Sequence, residues 1–168
     1  DCQSTIDPFD KSGMILAAKQ VHGRVVFQDV HFKYPSRENT VLNGLNFTLE
    51  PGRKLALVGR SGCGKSTTIQ LLMRFYDADS GIISIDGTNI LDINIANLRS
   101  LISLVSQEPV LFNTTIEENI KFGRPTATME EIREAATRAN AISFIEGEEG
   151  SEDEKHKEGF RRVVGPKG

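Results

Sequence analysis

The chain has 168 residues, of which 38% are hydrophobic and 26% are charged, which suffices for one folded domain with its own core. A formal net charge of −3 gives no general attraction for nucleic acid, and no apolar run is long enough to predict a membrane span. The two cysteines, Cys2 and Cys63, lie far apart, which argues against a disulfide framework and favours a reducing compartment.

The first part of the chain predicts a linker followed by antiparallel strands. Residues 1–22 are polar and contain turn-forming pairs, as linkers do. From Arg24 to Lys33 the residues alternate with apolar side chains on both faces, and residues 41–49 form a second strand-like run. Two antiparallel strands are therefore predicted before residue 50.

A glycine-rich loop between a strand and a helix is the strongest motif of the sequence. The apolar run at residues 54–58 predicts a buried parallel strand. Residues 67–75 predict a helix with Ile69, Leu72 and Met73 on one face. Between them lie eight residues that match G-x-x-x-x-G-K-[ST], namely Gly59-Arg60-Ser61-Gly62-Cys63-Gly64-Lys65-Ser66.

This motif suits the binding of a polyphosphate. Glycines let the backbone turn its N–H groups inward, and the helix N-terminus adds unpaired donors and a partial positive charge. Lys65 would reach the outer phosphates, and the Ser66 hydroxyl would ligate Mg²⁺.

Further elements follow in the second half of the chain. Residues 77–81 predict a turn, residues 82–87 a strand, and residues 101–105 another buried strand. From Thr115 the pattern is helical, and a capping box at Thr128 opens a helix. Its partner is Glu131, and the predicted apolar face comprises Ile132, Ala135, Ala136 and Ala139.

Two polar or aromatic residues outside the loop are candidates for the same site. Gln107 follows a predicted buried strand, and the carboxyl ends of such strands are where open α/β sheets bind ligands. Its amide oxygen could ligate Mg²⁺ or orient an attacking water. Tyr34 lies in a loop before the glycine motif and could stack on a base, although a single tyrosine is usually part of a core or a surface.

In combination, these motifs resemble the nucleotide-binding domain of ABC transporters, and more narrowly of the P-glycoprotein type of multidrug exporter. The resemblance covers nearly all of residues 20–145. The motifs come in the same order as in the family and at similar spacing. It is carried by Tyr34-Pro35-Ser36-Arg37, residues 58–68, Arg74-Phe75-Tyr76-Asp77, Gly81, Ile85-Asp86-Gly87, Leu98-Arg99, residues 105–112, Glu118-Asn119-Ile120 and Ala139-Asn140-Ala141. It implies an α/β P-loop NTPase (ABC ATPase) core, with an antiparallel β subdomain and the start of an α-helical subdomain in residues 23–168.

The resemblance also implies a role for each matching residue, with ATP and Mg²⁺ as the ligands. Tyr34 resembles the aromatic residue that stacks on adenine, and Val41 is assigned to the same nucleotide site. Gly59 to Ser66 corresponds to the Walker A motif, with Thr67 also donating to phosphate. Gln107 resembles the Q-loop glutamine, which with Ser66 would hold Mg²⁺, and Lys65 and Gln107 are the expected catalytic residues.

Partners and location follow from the same resemblance. Residues 108–112 resemble the region that contacts the coupling helices of the membrane domains, and residues 1–22 resemble the tail after a last transmembrane helix. A second nucleotide-binding domain would supply the signature motif, and no nucleic acid is expected. The implied location is the cytoplasmic face of a membrane, as part of an integral membrane transporter.

Other motifs that the family uses are missing from this sequence. It contains no Leu-Ser-Gly-Gly-Gln signature, no Walker B aspartate with its catalytic glutamate, and no switch histidine, since His22, His31 and His156 lie in other contexts. We therefore expect an incomplete domain that ends before the signature, is part of a longer protein, and by itself binds nucleotide weakly without hydrolysing it.

The acidic stretch at residues 146–160 departs from the family pattern. It holds seven acidic residues and two lysines, which predicts a solvated, mobile loop. A regulatory tract and a mis-joined exon are the alternatives.

Export of hydrophobic compounds driven by ATP is the function that the resemblance implies for the parent protein. A soluble ABC-type ATPase that acts on DNA or ribosomes is one alternative, and a non-catalytic interaction fragment is another. A P-loop kinase or GTPase is disfavoured, because neither class explains Tyr34 and Gln107 together.

Overall fold

The computed structural model describes residues 6–7, 10–107, 110–147 and 158–165. It forms two compact units, Asp1–Leu104 and Val105–Gly168, which we describe one after the other. Each unit has its own cluster of buried apolar side chains.

A four-stranded antiparallel sheet is the framework of the first unit. Its strands are β1 (Val25–Lys33), β2 (Thr40–Leu49), β3 (Ser80–Ile85) and β4 (Thr88–Asn89), in the spatial order β2-β1-β3-β4. The two strands predicted before residue 50 are confirmed, and β3 begins two residues before the predicted start. Strand β1 is central because it pairs with both β2 and β3.

A β-bulge in β1 decides which side chains enter the core. Phe27, Val30 and Phe32 are buried, although strict alternation would put Phe27 on the face opposite to the other two. The pairing of β1 with β3 shifts register between Gln28 and His31, where Asp29 has a φ of 47°. The extra residue of the bulge moves the later side chains to the face of Phe27. This explains why both faces of the strand are partly apolar in the sequence.

Two helices of the first unit contribute fully buried leucines to the core. Helix α1 spans Lys65–Leu72, two residues earlier at its start than predicted, and α2 spans Ile95–Ser100. The prediction of the buried face of α1 is wrong in part, because Leu71 is buried whereas Ile69 is 37% exposed. Which face of α1 meets the core depends on the direction in which the preceding loop starts the helix. Apolar spacing alone does not give that direction.

The predictions of buried strands at residues 54–58 and 101–105 are wrong. Both segments lack strand structure, and Val58 and Val105 are 92% and 95% exposed. A buried parallel strand requires hydrogen-bonded neighbours at its edges. Among the described residues no strand pairs with either segment. The apolar residues of these segments therefore form no sheet, and several of them are exposed.

The chain before β1 is attached to the first unit, although the sequence predicts a linker there. Met14 forms a parallel bridge with Ile93, and the backbone N–H of Met14 donates to the carbonyl of Asp92 at 2.7 Å. The Asn97 side chain accepts from the N–H of Leu16 at 2.7 Å and donates to its carbonyl at 3.1 Å. These bonds tie residues 12–16 to α2. A 3₁₀ turn at Ala18–Gln20 leads on to β1.

The second unit is a small helical body with a two-stranded sheet. Helices α3 (Ile116–Lys121), α4 (Met129–Arg138) and α5 (Ile142–Glu146) are accompanied by β5 (Thr114–Thr115) and β6 (Val163–Val164). Its buried core consists of Ile132, Ala136, Ile145 and Phe160.

The predicted start of α4 is confirmed, and its predicted apolar face is confirmed in part. Thr128 and Glu131 form the complete capping box, in which each side chain bonds to the backbone N–H of the other residue. Two of the four predicted positions, Ile132 and Ala136, face the core of the second unit. Ala135 and Ala139 are exposed.

The described ends of the acidic stretch are folded. Glu146 is the last residue of α5 and pairs with Arg133 at 2.7 Å, and Phe160 is 4% exposed within a 3₁₀ turn. Glu146 and Phe160 thus contact the rest of the second unit, and the mobile loop over residues 146–160 stays a prediction. Residues 148–157 lie outside the described residues.

Removal of the Asn97 side chain should release the segment before β1. In Asn97→Ala we expect the Leu16 amide to exchange its hydrogen about 3- to 10-fold faster, because it loses a hydrogen bond worth about 1 kcal/mol. Hydrogen-exchange mass spectrometry over residues 10–20 measures this. Asn43→Ala, at an exposed position in β2, is the control. Unchanged exchange in Asn97→Ala would show that the asparagine does not hold the segment.

Asp86 should make the first unit sensitive to acid. Burial of its carboxylate opposes ionisation, but the N–H groups of Arg24, Gly23 and His22 outweigh this effect and lower the pKa of Asp86. Because the folded pKa is below the unfolded value, the stabilisation is present above about pH 4 and is lost as the pH falls through the folded pKa.

Asp86→Asn tests this dependence, because asparagine also tolerates the left-handed backbone of this residue, whose φ is 49°. The free energy of unfolding in urea should be lower than wild type at pH 6, and the difference should shrink towards pH 3. Asp92→Asn, at an exposed position in the turn before α2, is the control. A difference that stays constant with pH would contradict the proposed role of the carboxylate.

Candidate functional site

The loop of residues 59–66 closes around the ammonium group of its own lysine. Lys65 Nζ donates to the carbonyl oxygens of Gly59 and Arg60, both at 2.8 Å, and lies 3.5 Å from Cys63 Sγ. The N–H of Cys63 donates back to the Arg60 carbonyl at 3.3 Å. In this arrangement the positive charge faces neutral carbonyl oxygens. An anionic group that entered the loop would offer Lys65 stronger, charge-assisted bonds.

Two glycines of the motif have conformations that a side chain would disturb. Gly62 and Gly64 have φ values of 81° and 94°, in the region that glycine adopts without strain. At Gly64 a Cβ atom would lie 2.5 Å from Leu42 Cδ2 and 3.4 Å from Val41 Cγ1. At Gly62 a Cβ atom would meet no atom within 4 Å. Gly64 is therefore the point where the loop packs on β2.

The start of α1 presents backbone donors without protein acceptors. The first backbone bond at this junction runs from the N–H of Thr68 to the carbonyl of Gly64, at 2.9 Å. Within the described part of the chain, the N–H groups of Gly64 to Thr67 have no acceptor. The Ser66 side chain is exposed at the same end of the helix. Free N–H donors beside an exposed hydroxyl fit an anionic polyphosphate with its Mg²⁺ ion.

Tyr34 is attached to the same helix through its hydroxyl group. Tyr34 Oη lies 2.8 Å from Thr67 Oγ1 and donates to Gln70 Oε1 at 2.6 Å. The ring packs edge to face with Phe32 and Tyr76, at centroid distances of 4.9 and 5.2 Å. The structure thus brings Tyr34 together with the residues that follow the glycine loop.

Val41 and Thr67 also lie at this junction. Val41 borders Gly64. Thr67 is 5% exposed and its hydroxyl bonds to Tyr34, so its backbone N–H, which has no protein acceptor in the described chain, is the group available to an anion. The site residues of the first unit, from Tyr34 to Thr67, thus form one connected cluster.

Gln107 belongs to the second unit. It is exposed and lies in a bend that follows the segment predicted as a strand. Glu108 and Pro109 lie outside the described residues.

Phe112 stacks obliquely on Phe122 with ring centroids 4.2 Å apart. The side-chain oxygen of Asn119 accepts from the backbone N–H of Phe112 at 2.9 Å. Both rings are half exposed.

Sequence reasoning missed two residues that support the cluster. Gln70 binds the Tyr34 hydroxyl, and its spacing of three residues from Thr67 places both on one helix face, a signal that was present in the sequence. Arg99 donates to the carbonyls of Met73 and Arg74 at 3.1 and 2.8 Å, at the end of α1. Burial, and then the charge of Arg74, lowers the pKa of Arg99.

Alanine substitutions at Gly62 and at Gly64 should distinguish backbone strain from steric overlap. Both substitutions add strain of roughly 1–2 kcal/mol at a left-handed residue, but only Gly64→Ala also forces the buried Leu42 side chain to move. We expect a larger loss of unfolding free energy for Gly64→Ala than for Gly62→Ala, measured by urea denaturation. Equal losses would contradict the close packing of the loop on β2.

No helix of the described residues is long and apolar enough to cross a membrane.

Comparison with known proteins identifies the family of this chain. Residues 42–158 match the family described as ABC transporter. The chain is 46% identical to P-glycoprotein 14 of Caenorhabditis elegans, over 97% of this chain and 12% of the relative. It is 45% identical to Multidrug resistance protein 1 of Entamoeba histolytica, over 100% of this chain and 12% of that protein. It therefore spans about an eighth of the length of these relatives.

A solved structure gives the same assignment for the fold. The bacterial exporter described as "Structure of a bacterial Atm1-family ABC exporter with ATP bound" superposes with a TM-score of 0.80 at 36% identity, over 94% of this chain and 26% of that chain. The family match covers most of the sequence, and the antiparallel sheet with its helices matches part of the exporter's fold. The chain belongs to the ABC transporter family and has, in part, the fold of its ATPase domain.

Proposed function

We propose that this chain is the ATP-binding part of an efflux transporter that couples ATP hydrolysis to the export of hydrophobic compounds. The observation that carries the proposal is the glycine loop, whose unpaired N–H groups and lysine lie beside an aromatic ring that is bonded to the same helix. The similarity to a protein named Multidrug resistance protein 1 supports the class of transported compound.

Each group of the cluster has a role in this proposal. Tyr34 would stack on adenine beside Val41, the N–H groups of residues 59–67 would bind the phosphates, and Lys65 would leave the Gly59 and Arg60 carbonyls for the outer phosphates. Ser66 and Gln107 would hold Mg²⁺. When bound, the ion neutralises charge on the phosphates.

The 168-residue chain itself should bind ATP without hydrolysing it. Hydrolysis requires a group that activates or orients the attacking water. The sequence lacks the catalytic glutamate and the signature motif of the family. In the proposal a second nucleotide-binding domain supplies the signature, at the cytoplasmic face of a membrane.

The membrane domains would bind near residues 108–112. The exposed rings of Phe112 and Phe122 in this region support that assignment, because paired exposed aromatic side chains are common in protein interfaces. Residues 1–22 would connect the domain to the last transmembrane helix.

Calorimetric titration with Mg²⁺-ATP tests the nucleotide site. Lys65→Ala should abolish measurable binding, whereas Lys54→Ala, at an exposed lysine outside the loop, should not. Tyr34→Ala should weaken binding about 5-fold or more, since base stacking is worth about 1–3 kcal/mol, and Tyr34→Trp should preserve it.

Two results would contradict the proposal. Equal affinity of wild type and Lys65→Ala would refute the phosphate site. Phosphate release by the purified chain that depends on Lys65 would refute its expected lack of turnover.

A further inference from the structure

We propose that Gln70 is a positioning residue that holds the Tyr34 ring in the orientation needed to stack on a nucleobase. The inference rests on the proposed nucleotide site and assigns it a residue that the motif does not include. Gln70 lies on α1, half-buried, with its side-chain oxygen 2.6 Å from the Tyr34 hydroxyl.

The hydrogen bonds around the Tyr34 hydroxyl have one consistent arrangement. The amide oxygen of Gln70 can only accept, so the single phenolic hydrogen of Tyr34 is directed to Gln70. The Thr67 hydroxyl, 2.8 Å away, therefore donates to Tyr34 Oη. Both bonds fix the tip of the ring to the face of α1.

The ring needs this attachment because it lies beyond the end of a strand. Strand β1 ends at Lys33, and Tyr34 begins a turn in which its carbonyl accepts from the N–H of Arg37 at 3.0 Å. The guanidinium of Arg37 lies 5.7 Å from the ring centroid. Contacts with Phe32 and Tyr76 support the body of the ring, whereas Thr67 and Gln70 are the groups that fix its hydroxyl.

Gln70 also connects the Tyr34 ring to the helix that carries the proposed phosphate site. It follows Ser66 by four residues, so the two side chains lie on the same face of α1, one turn apart. The same rigid helix therefore carries the phosphate-binding end of the site and the anchor of Tyr34. A ring held from this helix keeps a fixed distance from the phosphates, which favours a ligand with both a base and a polyphosphate.

A phenylalanine at position 34 separates this inference from stacking alone. Stacking uses the ring face and does not need the hydroxyl, so stacking alone predicts full ATP affinity for Tyr34→Phe. Positioning by Gln70 predicts a loss of about 3- to 10-fold in Gln70→Leu, the effect of one hydrogen bond, and a loss at least as large in Tyr34→Phe, which also removes the bond to Thr67. The double variant should lose no more than Tyr34→Phe alone, because that substitution already removes the bond to Gln70.

The test compares ATP with inorganic triphosphate by calorimetry on the 168-residue chain. Gln70→Leu should weaken ATP binding and leave triphosphate binding unchanged. Gln70→Glu, which keeps an acceptor oxygen, should preserve the ratio of the two affinities, because its negative charge repels both anions. Gln28→Leu, at an exposed position in β1, makes the same chemical change as a control. Equal weakening of both ligands by Gln70→Leu would show a general structural role and overturn the inference.

Tyrosine fluorescence reports directly on the environment of the Tyr34 ring and gives a second test. The chain has no tryptophan and two tyrosines, so Tyr76→Phe leaves Tyr34 as the single fluorophore. ATP should quench its emission in this background, and adding Gln70→Leu should reduce the quenching at saturation. Full quenching in that variant, with unchanged ATP affinity, would also overturn the inference.

The outcomes distinguish this inference from the proposed function. If Tyr34→Ala weakens ATP binding while Tyr34→Phe and Gln70→Leu do not, the nucleotide site stands and the role of Gln70 falls. If wild type binds neither ATP nor triphosphate, the proposed function fails and the inference fails with it.

Discussion

The packing of α1 against the antiparallel sheet is the constraint on which the first unit depends. Gly64 lies against Val41 and Leu42 of β2, and only a residue without a side chain permits that approach. One turn later, Thr67 and Gln70 bind the hydroxyl of Tyr34, which follows β1. The loop before α1 is thus fixed at the sheet by van der Waals contact and by polar contacts. Both contacts orient the helix so that its free N–H groups remain available.

In the glycine loop, the charge of Lys65 is balanced by carbonyl groups of the same loop. An ammonium group surrounded by unpaired backbone N–H donors would be unfavourable, since donors and cation repel. Lys65 avoids this arrangement by binding the carbonyl oxygens on the other side of the same loop. These are neutral acceptors, so the bonds are weaker than those to a phosphate and can be exchanged.

The exposed segments at residues 54–58 and 101–105 have the composition of buried strands without the structure of strands. Val58 and Val105 are almost fully exposed, and Leu55 and Leu104 are about half exposed. Burial of apolar surface contributes roughly 25 cal/mol per Å², but a strand gains it only when neighbouring strands pair with its backbone. The described residues provide no such neighbour. Composition alone therefore does not determine whether a segment becomes part of a sheet.

Local patterns in the sequence determined β1, β2, the glycine motif and the capping box of α4, because each depends on residues close together in the chain. The candidate site was predictable to the extent that its residues form motifs, as Gly59 to Ser66 do, and the resemblance added Tyr34, Val41 and Gln107. Tertiary structure alone decided the rest. The bulge at Asp29 depends on the partner strand, and the asparagines that fix residues 12–16 bind a segment about 80 positions away. Gln70 acquires its role only when Tyr34 folds onto α1, since a helix face has no partner until the sheet supplies one.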